Sequence, residues 1–317
     1  MPLAPIDARA FAKIAIGIDR PEDVVVLKDG RVYAADHQCA VAEIHADGRF
    51  TRLGPRFGAP NGINADRDGR ILIANFGIYD GMPGPLERFD PKTGTRETLV
   101  AAIGGRNLTS SNYPILDSAG NIWCANSTFA PTWPEALDGR DDGLIYVLRP
   151  DGRAEIVAEG LKFPNGLALS ADEKHLFCCQ TSAANVLRFP LLDGGARLGA
   201  PEPYGPPLGP VLQGRVDPDN PPPPEVMHNL GYTDGCGMDA EGNLWVTLPA
   251  ANKIVAITPA RDVFVVAHDH GGAVLNHPTN VAWGGPDLRD LYVGSIRADY
   301  VLKARSPVAG APLIHQR

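Results

Sequence analysis

Six times along this chain a short apolar stretch opens on an acidic or amide residue, turns, and returns with a paired aliphatic–aromatic or aliphatic signature. The returning pairs are Val32-Tyr33, Ile71-Leu72, Ile122-Trp123, Leu176-Phe177, Leu244-Trp245 and Leu291-Tyr292. Counting back from each pair gives one column of opening residues: Glu22, Asn61, Asn112, Asn165, Asp234 and Asn280. The fourth and sixth copies carry one extra turn residue, within Ala171–His175 and Pro286–Asp290, and their offset lengthens accordingly. Self-similarity at roughly 50 residues is the mark of an array or a closed propeller, because one unit cannot bury its apolar face alone.

The turns support the closed form. The chain of 317 residues contains 35 Gly and 30 Pro with short β-branched runs between them, a turn-rich all-β pattern. Blade one reads as four strands, Asp23–Leu27, Arg31–Asp36, Ala40–Ala46 and Phe50–Gly54. Later blades start at Asn61, Asn112, Asn165, Asp234 and Asn280. The expectation is an all-β, six-bladed β-propeller of four-stranded blades, a single domain over residues 1–317, which hides its sheet edges by radial closure. Residues 9–18 precede the first copy, and as an orphan strand they are expected to complete the last blade and close the ring.

Charge and apolar patterning exclude several partners. A net charge of −8 lacks the basic footprint that nucleic acid or an anionic membrane requires. No apolar run approaches the ~20 residues of a membrane span. The first residues, Met1 to Asp7, show no basic segment followed by an apolar core, so no signal peptide is expected. Five cysteines, Cys39, Cys124, Cys178, Cys179 and Cys236, lack paired zinc spacing and are expected as reduced, mostly buried thiols of a cytoplasmic protein.

The column carries the chemistry. In a blade the innermost strand comes first, so six polar side chains converge on one end of the central channel. Unpaired buried carboxylates are costly, and a bound cation relieves that cost. Glu22 and Asp234 bring two negative charges, which match one divalent ion, while asparagines offer neutral carbonyl oxygens. An all-oxygen set suits Ca²⁺ first and then Mg²⁺ or Mn²⁺; Zn²⁺ is allowed but prefers His or Cys. Pro-Asn-Gly is also an ordinary turn signal, and Asx turns are the alternative, strongest for Asn61 and Asn280. These two, with His37 and His277 near the same end, are candidates for substrate binding or for supporting the ligands. His228 lies in the long entry to blade five. Antiparallel pairing brings segments 126–143 (with Phe129 and Trp133) and 209–233 (with Pro221 to Pro224) to the same mouth, where long loops often act as lids. The second is placed after an expected outer strand of blade four at 201–208.

Pro21-Glu22-Asp23-Val24, Phe163-Pro164-Asn165-Gly166-Leu167-Ala168, Thr233-Asp234-Gly235, Asp239 to Val246 and Thr279 to Leu288 together resemble the senescence marker protein/gluconolactonase/luciferin-regenerating enzyme family. The resemblance implies a six-bladed propeller with a divalent metal in its channel, held by Glu22, Asn165 and Asp234, with Asn112 on the metal or on the substrate beside it. It also implies lactone hydrolysis, with Asp234 as the candidate base. Two positions depart from the family pattern: Tyr113 replaces the Asp that often follows that Asn, and Ser110 replaces the Arg of sugar-lactone members. The expected function is therefore a metal-dependent hydrolase acting on a small molecule, foremost a lactonase. Phosphotriester hydrolysis at the same ion, or a non-catalytic binding propeller stiffened by the ion, remain the alternatives. Oligomeric state does not follow from any of these residues.

Overall fold

The computed structural model describes residues 2–212 and 221–317. Six antiparallel sheets follow one another around an axis, and each runs outward in chain order. Their innermost strands are Val24–Val26, Pro60–Ala65, Ser111–Leu116, Pro164–Leu169, Cys236–Met238 and Pro278–Gly284. Second strands begin at or one residue before the repeated apolar pairs, as the register of the copies requires. Strand Ala12–Ile14 pairs antiparallel with Val301–Arg305, so the chain's beginning supplies the outer strand of the sixth blade and fastens the ring.

Packing explains why six copies are needed. Six separate apolar clusters lie one at each blade–blade interface, such as Trp245 with Trp283 between blades five and six, or Cys124 with Leu72 between three and two. Each sheet buries both faces against its neighbours, so closure of the ring completes every interface. All five cysteines are buried and free, and Cys178 and Cys179 face different clusters as strand alternation demands.

Asn-Gly here is a packing device within strands. A Cβ on Gly62 would meet the Asn112 carbonyl oxygen at 2.4 Å, and one on Gly166 would meet the Cys236 nitrogen at 2.6 Å. Glycine thus lets inner strands approach backbone to backbone at the axis. The pairing register shifts across Pro60/Ile63, Ser111/Pro114, Pro164/Leu167 and Pro278/Val281. Each shift contains the column asparagine, so a bulge re-aims that side chain.

Blade four departs from expectation. Segment 201–208 is not a continuous outer strand. Two short strands, Arg197–Leu198 and Glu202–Pro203, both pair with Asn185–Leu192. Prolines at 201, 203, 206 and 207 have no N–H to donate, which breaks the ladder. The following excursion is pinched at its neck by Gly209 against Gly231, where Gly231 N donates to the Pro210 carbonyl at 2.8 Å. Of the 209–233 segment, residues 213–220 lie outside the described residues.

The far end of the channel is closed by a segment that the repeat does not announce. Beyond the last strand the chain crosses the axis, and Gln316 Nε2 donates to the carbonyls of Val26 at 3.0 Å and Trp283 at 2.8 Å. His315 is buried beneath, its Nε2 3.1 Å from the same Val26 carbonyl, and burial pushes its pKa down to about 4. Among the described residues no helix is long and apolar enough to cross a membrane.

Candidate functional site

At the opposite end lies a cavity of about 640 Å³. Its floor includes Glu22, Asn61, Asn112, Asn165 and Asp234, brought together from five blades, and His277 stands in its wall. Two further candidates sit elsewhere. Asn280 is buried behind the wall, where its Nδ2 donates to Asp23 Oδ1 at 2.6 Å. His37 is drawn into an ion cluster, with Nε2 2.8 Å from Asp80 Oδ2 and Arg56 on the same carboxylate.

The hydrogen bonds give the asparagines different orientations. Arg20 Nη2 donates to Asn61 Oδ1 at 2.7 Å, which turns Asn61 Nδ2 towards Glu22 Oε1 at 3.1 Å. The Asn61 carbonyl is therefore occupied, and the residue steadies Glu22. Asn165 Nδ2 donates to Thr181 Oγ1 at 3.1 Å, which leaves its carbonyl oxygen open. Asn112 has no side-chain hydrogen bond among the described residues and borders the cavity directly.

The carboxyls are short of donors. Burial pushes Glu22 up to about 7, although the Arg20 charge and the Asn61 hydrogen bond oppose the rise. Asp234 is held well above the usual carboxylate range by burial and by the Glu22 charge, against the pull of Arg20 and a hydrogen bond with Asn165. Asp23, the next residue in the chain, is buried outside the cavity lining and is also raised by burial and by Glu22, yet it accepts from Val24 N, Ile63 N and Asn280 Nδ2. His277 has its Nδ1 2.7 Å from Asn276 Oδ1, and burial followed by the Arg297 charge pushes it down to about 4. It is neutral at physiological pH.

Among the described residues no group of three His, Cys, Asp or Glu side chains is placed to hold a metal ion. An ion at this floor depends on amide oxygens as well as on Glu22 and Asp234. The donor set fits that requirement: two carboxyls with few donors, an open Asn165 carbonyl and an uncommitted Asn112 side chain, all oxygen and all on the floor.

The walls are aromatic. Phe76, Trp133 and Phe163 form a cluster with ring centroids 5.5 to 6.3 Å apart, and Tyr79 joins Trp133 at 6.3 Å. Trp133, Pro134 and Leu137 come from segment 126–143, and Leu212, Pro221 and Met227 from the long excursion before blade five. Both long loops therefore border the mouth. Phe129 does not, because its ring packs beneath Arg106 with the guanidinium 4.0 Å from the centroid.

Sequence reasoning missed Arg20, Asp23 and Arg297. The first two flank Glu22 in Arg20-Pro21-Glu22-Asp23, so their proximity to the column was the available signal. Arg297 lies in the connection 295–299, which the strand order already brings to the mouth.

Fold and floor define a six-bladed propeller with an oxygen-lined acidic cavity on its axis. The chain belongs to the SMP-30/Gluconolactonase/LRE-like family, whose model matches residues 77–297, more than two thirds of the 317 residues. A strictosidine synthase-like N-terminal model matches residues 9–39. A gluconolactonase of Zymomonas mobilis is 29% identical over 127 residues, which is 39% of this chain and only 34% of that protein. The pentonolactonase XacC of Haloferax volcanii is 24% identical over 86% of this chain and 82% of its own length. Among solved structures, the calcium-binding protein regucalcin of Agrobacterium tumefaciens superposes with a TM-score of 0.69 at 18% identity, covering 98% of this chain and 96% of that one.

Proposed function

We propose that this protein is a divalent-metal-dependent lactonase that opens cyclic esters bearing an apolar or aryl substituent. The observation that carries the reading is the floor itself: Glu22 and Asp234, buried and poor in donors, share one cavity with the amide groups of Asn112 and Asn165. Family membership and the lactonases among the relatives support the reaction class, and the calcium-binding regucalcin supports Ca²⁺ as the first ion to test.

Glu22, Asn112, Asn165 and Asp234 would hold the ion, which when bound supplies Lewis acidity towards an ester carbonyl and charge that stabilises the developing oxyanion. The remaining work belongs to the chain. Asn61 holds Glu22 in place while Arg20 fixes the orientation of Asn61. A free oxygen of Asp234 takes the proton as water adds to the carbonyl; the ring C–O bond then breaks, and a proton ends on the released hydroxyl. Neutral His277 offers a hydrogen-bonding edge at the wall without adding charge. Phe76, Tyr79, Trp133 and Phe163 enclose the substituent and exclude water. Apolar walls reward such burial at roughly 25 cal/mol per Å² but leave the hydroxyls of a sugar lactone unpaired. Ser110, in the position of the cation of sugar-lactone members, is fully buried and outside the cavity wall.

The test is kcat/KM for alkyl- and aryl-substituted lactones, gluconolactone, aryl esters and a phosphotriester, with chelated protein and with Ca²⁺, Mg²⁺, Mn²⁺ or Zn²⁺ restored. Substituted lactones are expected to lead, with activity lost on chelation. Hydrolysis of the phosphotriester alone would move the reaction class, and ion binding without any hydrolysis would leave a binding propeller. Calorimetry should show that Asp234→Asn weakens Ca²⁺ binding more than Asn112→Ala does, because only the former removes a charge.

A further inference from the structure

The cavity has two unlike sides. Each innermost strand packs against those of the preceding and following blades, and the first packs against the sixth, so blade three stands across the axis from blade six. Phe76 and Tyr79 follow the second strand of blade two, Trp133 follows that of blade three, and Phe163 leads into blade four. The aromatic wall therefore occupies one side of the axis. His277, Ile296 and Arg297 line the cavity from blade six, on the other side, and the acidic floor lies between.

Arg297 has a fixed base and an uncommitted head. Its backbone N and that of Ala298 donate to Ser295 Oγ at 3.0 and 2.8 Å, and Ser295 Oγ donates to the Asn276 carbonyl at 2.5 Å. Among the described residues every other arginine pairs with a carboxylate or donates to an oxygen. The Arg297 side chain has neither a hydrogen bond nor an ion pair there. Elsewhere in this fold guanidiniums staple turns and strands. This one staples nothing and borders a cavity. A guanidinium presents a planar fork of donors that matches a carboxylate, and the apolar side chains around it offer no competing acceptor.

We propose that Arg297 is a specificity-determining residue that takes a carboxylate of the substrate. The preferred lactone then carries an aryl or apolar arm on one side of its ring and a free carboxylate on the other. The inference rests on the lactonase reading given above and adds the second arm to it. With the ester carbonyl over the floor, the aryl arm meets Trp133 and the carboxylate reaches the guanidinium across the axis.

The test uses two matched pairs of aryl-substituted rings, each pair differing only in a carboxylate or a carboxamide placed away from the aryl arm. One pair are lactones, compared by kcat/KM; the other are lactams, which resist opening and are compared by calorimetry. Both are run on the Ca²⁺-loaded full chain. Wild type should prefer the carboxylate by about tenfold in each pair, the scale of a charge-assisted hydrogen bond. That ratio should fall to about one in Arg297→Gln, reverse in Arg297→Glu, and survive at about threefold in Arg297→Lys, which keeps the charge without the fork. A ratio within one variant cancels any loss of folded protein, and Arg297→Met stands in if the glutamine variant does not fold. A wild-type ratio near one, or a preference that persists in Arg297→Gln because the ion or Arg20 holds the carboxylate, would overturn the proposal and leave the lactonase reading standing. If the lactams showed the predicted ratios while neither lactone opened, the carboxylate site would stand and the lactonase reading would fall.

Discussion

Buried carboxyls occur at both ends of the blades, and the two ends treat them oppositely. At the hairpin end Asp239 accepts from Glu241 N at 2.9 Å, Asn243 N at 2.8 Å, Asn243 Nδ2 at 2.7 Å and Trp245 Nε1 at 2.9 Å. Asp117 repeats the arrangement with Asn121 and Trp123. At the cavity end, among the described residues, Glu22 accepts one bond, from Asn61, and Asp234 is bonded by Asn165. Both cavity carboxyls are raised by burial. The lesson is that burial alone does not mark a functional acid. The number of donors around it does: a satisfied carboxylate staples a turn, and an unsatisfied one is available to an ion or a proton.

The sharpest way to break this contrast is to compare two substitutions in chelated protein. Asp239→Ala strands several buried donors and should cost about 3–5 kcal/mol in denaturant unfolding. Asp234→Asn removes a poorly compensated charge and should cost less than about 1 kcal/mol, or even stabilise the chain. Equal losses in the two variants would mean that Asp234 is a structural acid like Asp239.

A smaller effect is expected from pH. Glu22 stands at about 7 in the folded chain, above its ordinary value of 4.5, so the folded state holds a proton that the unfolded state has released. Its contribution to stability is fully present below about 4.5 and is lost as pH rises through about 7. Chelated protein should therefore lose on the order of 1–3 kcal/mol between pH 4.5 and 7.5. Added Ca²⁺ should flatten or reverse that slope in the same unfolding titration, because an ion favours the ionised carboxyl. A slope unaffected by Ca²⁺ would place the ion away from Glu22.

The aromatic wall sharpens the comparison from the substrate side. Trp133→Ala removes the ring that touches Phe76, Tyr79 and Phe163, and should lower kcat/KM for an aryl-substituted lactone by about tenfold. An unsubstituted lactone should lose much less in the same steady-state assay. The smallest effect belongs to His37→Ala. Its partner Asp80 keeps Arg56, and the pair lies outside the cavity wall, so kcat/KM should change by less than about threefold. A hundredfold loss would put His37 on the reaction path after all.

What the amino-acid sequence determined by itself was the repeating architecture and the residues at the start of each inner strand. Periodicity is a local property, and six copies in register make even Glu22 and Asp234, 212 positions apart, equivalent. The closing role of residues 9–18 followed from their place before the first copy, as an orphan strand beside a closed ring, and Ala12–Ile14 pairs with the last strand accordingly. The tertiary structure alone decided which column members face the cavity and how their amides point. Asn61 and Asn165 occupy equivalent places in the pattern, yet Arg20 engages the carbonyl of one and Thr181 the amide of the other. It alone decided, too, that His37 turns to Asp80, that Asn280 turns to Asp23, and that Gln316 caps the far end of the channel. These outcomes depend on single donors and acceptors arriving from distant segments. A hydrogen bond depends on distance and angle, which no spacing in the chain encodes.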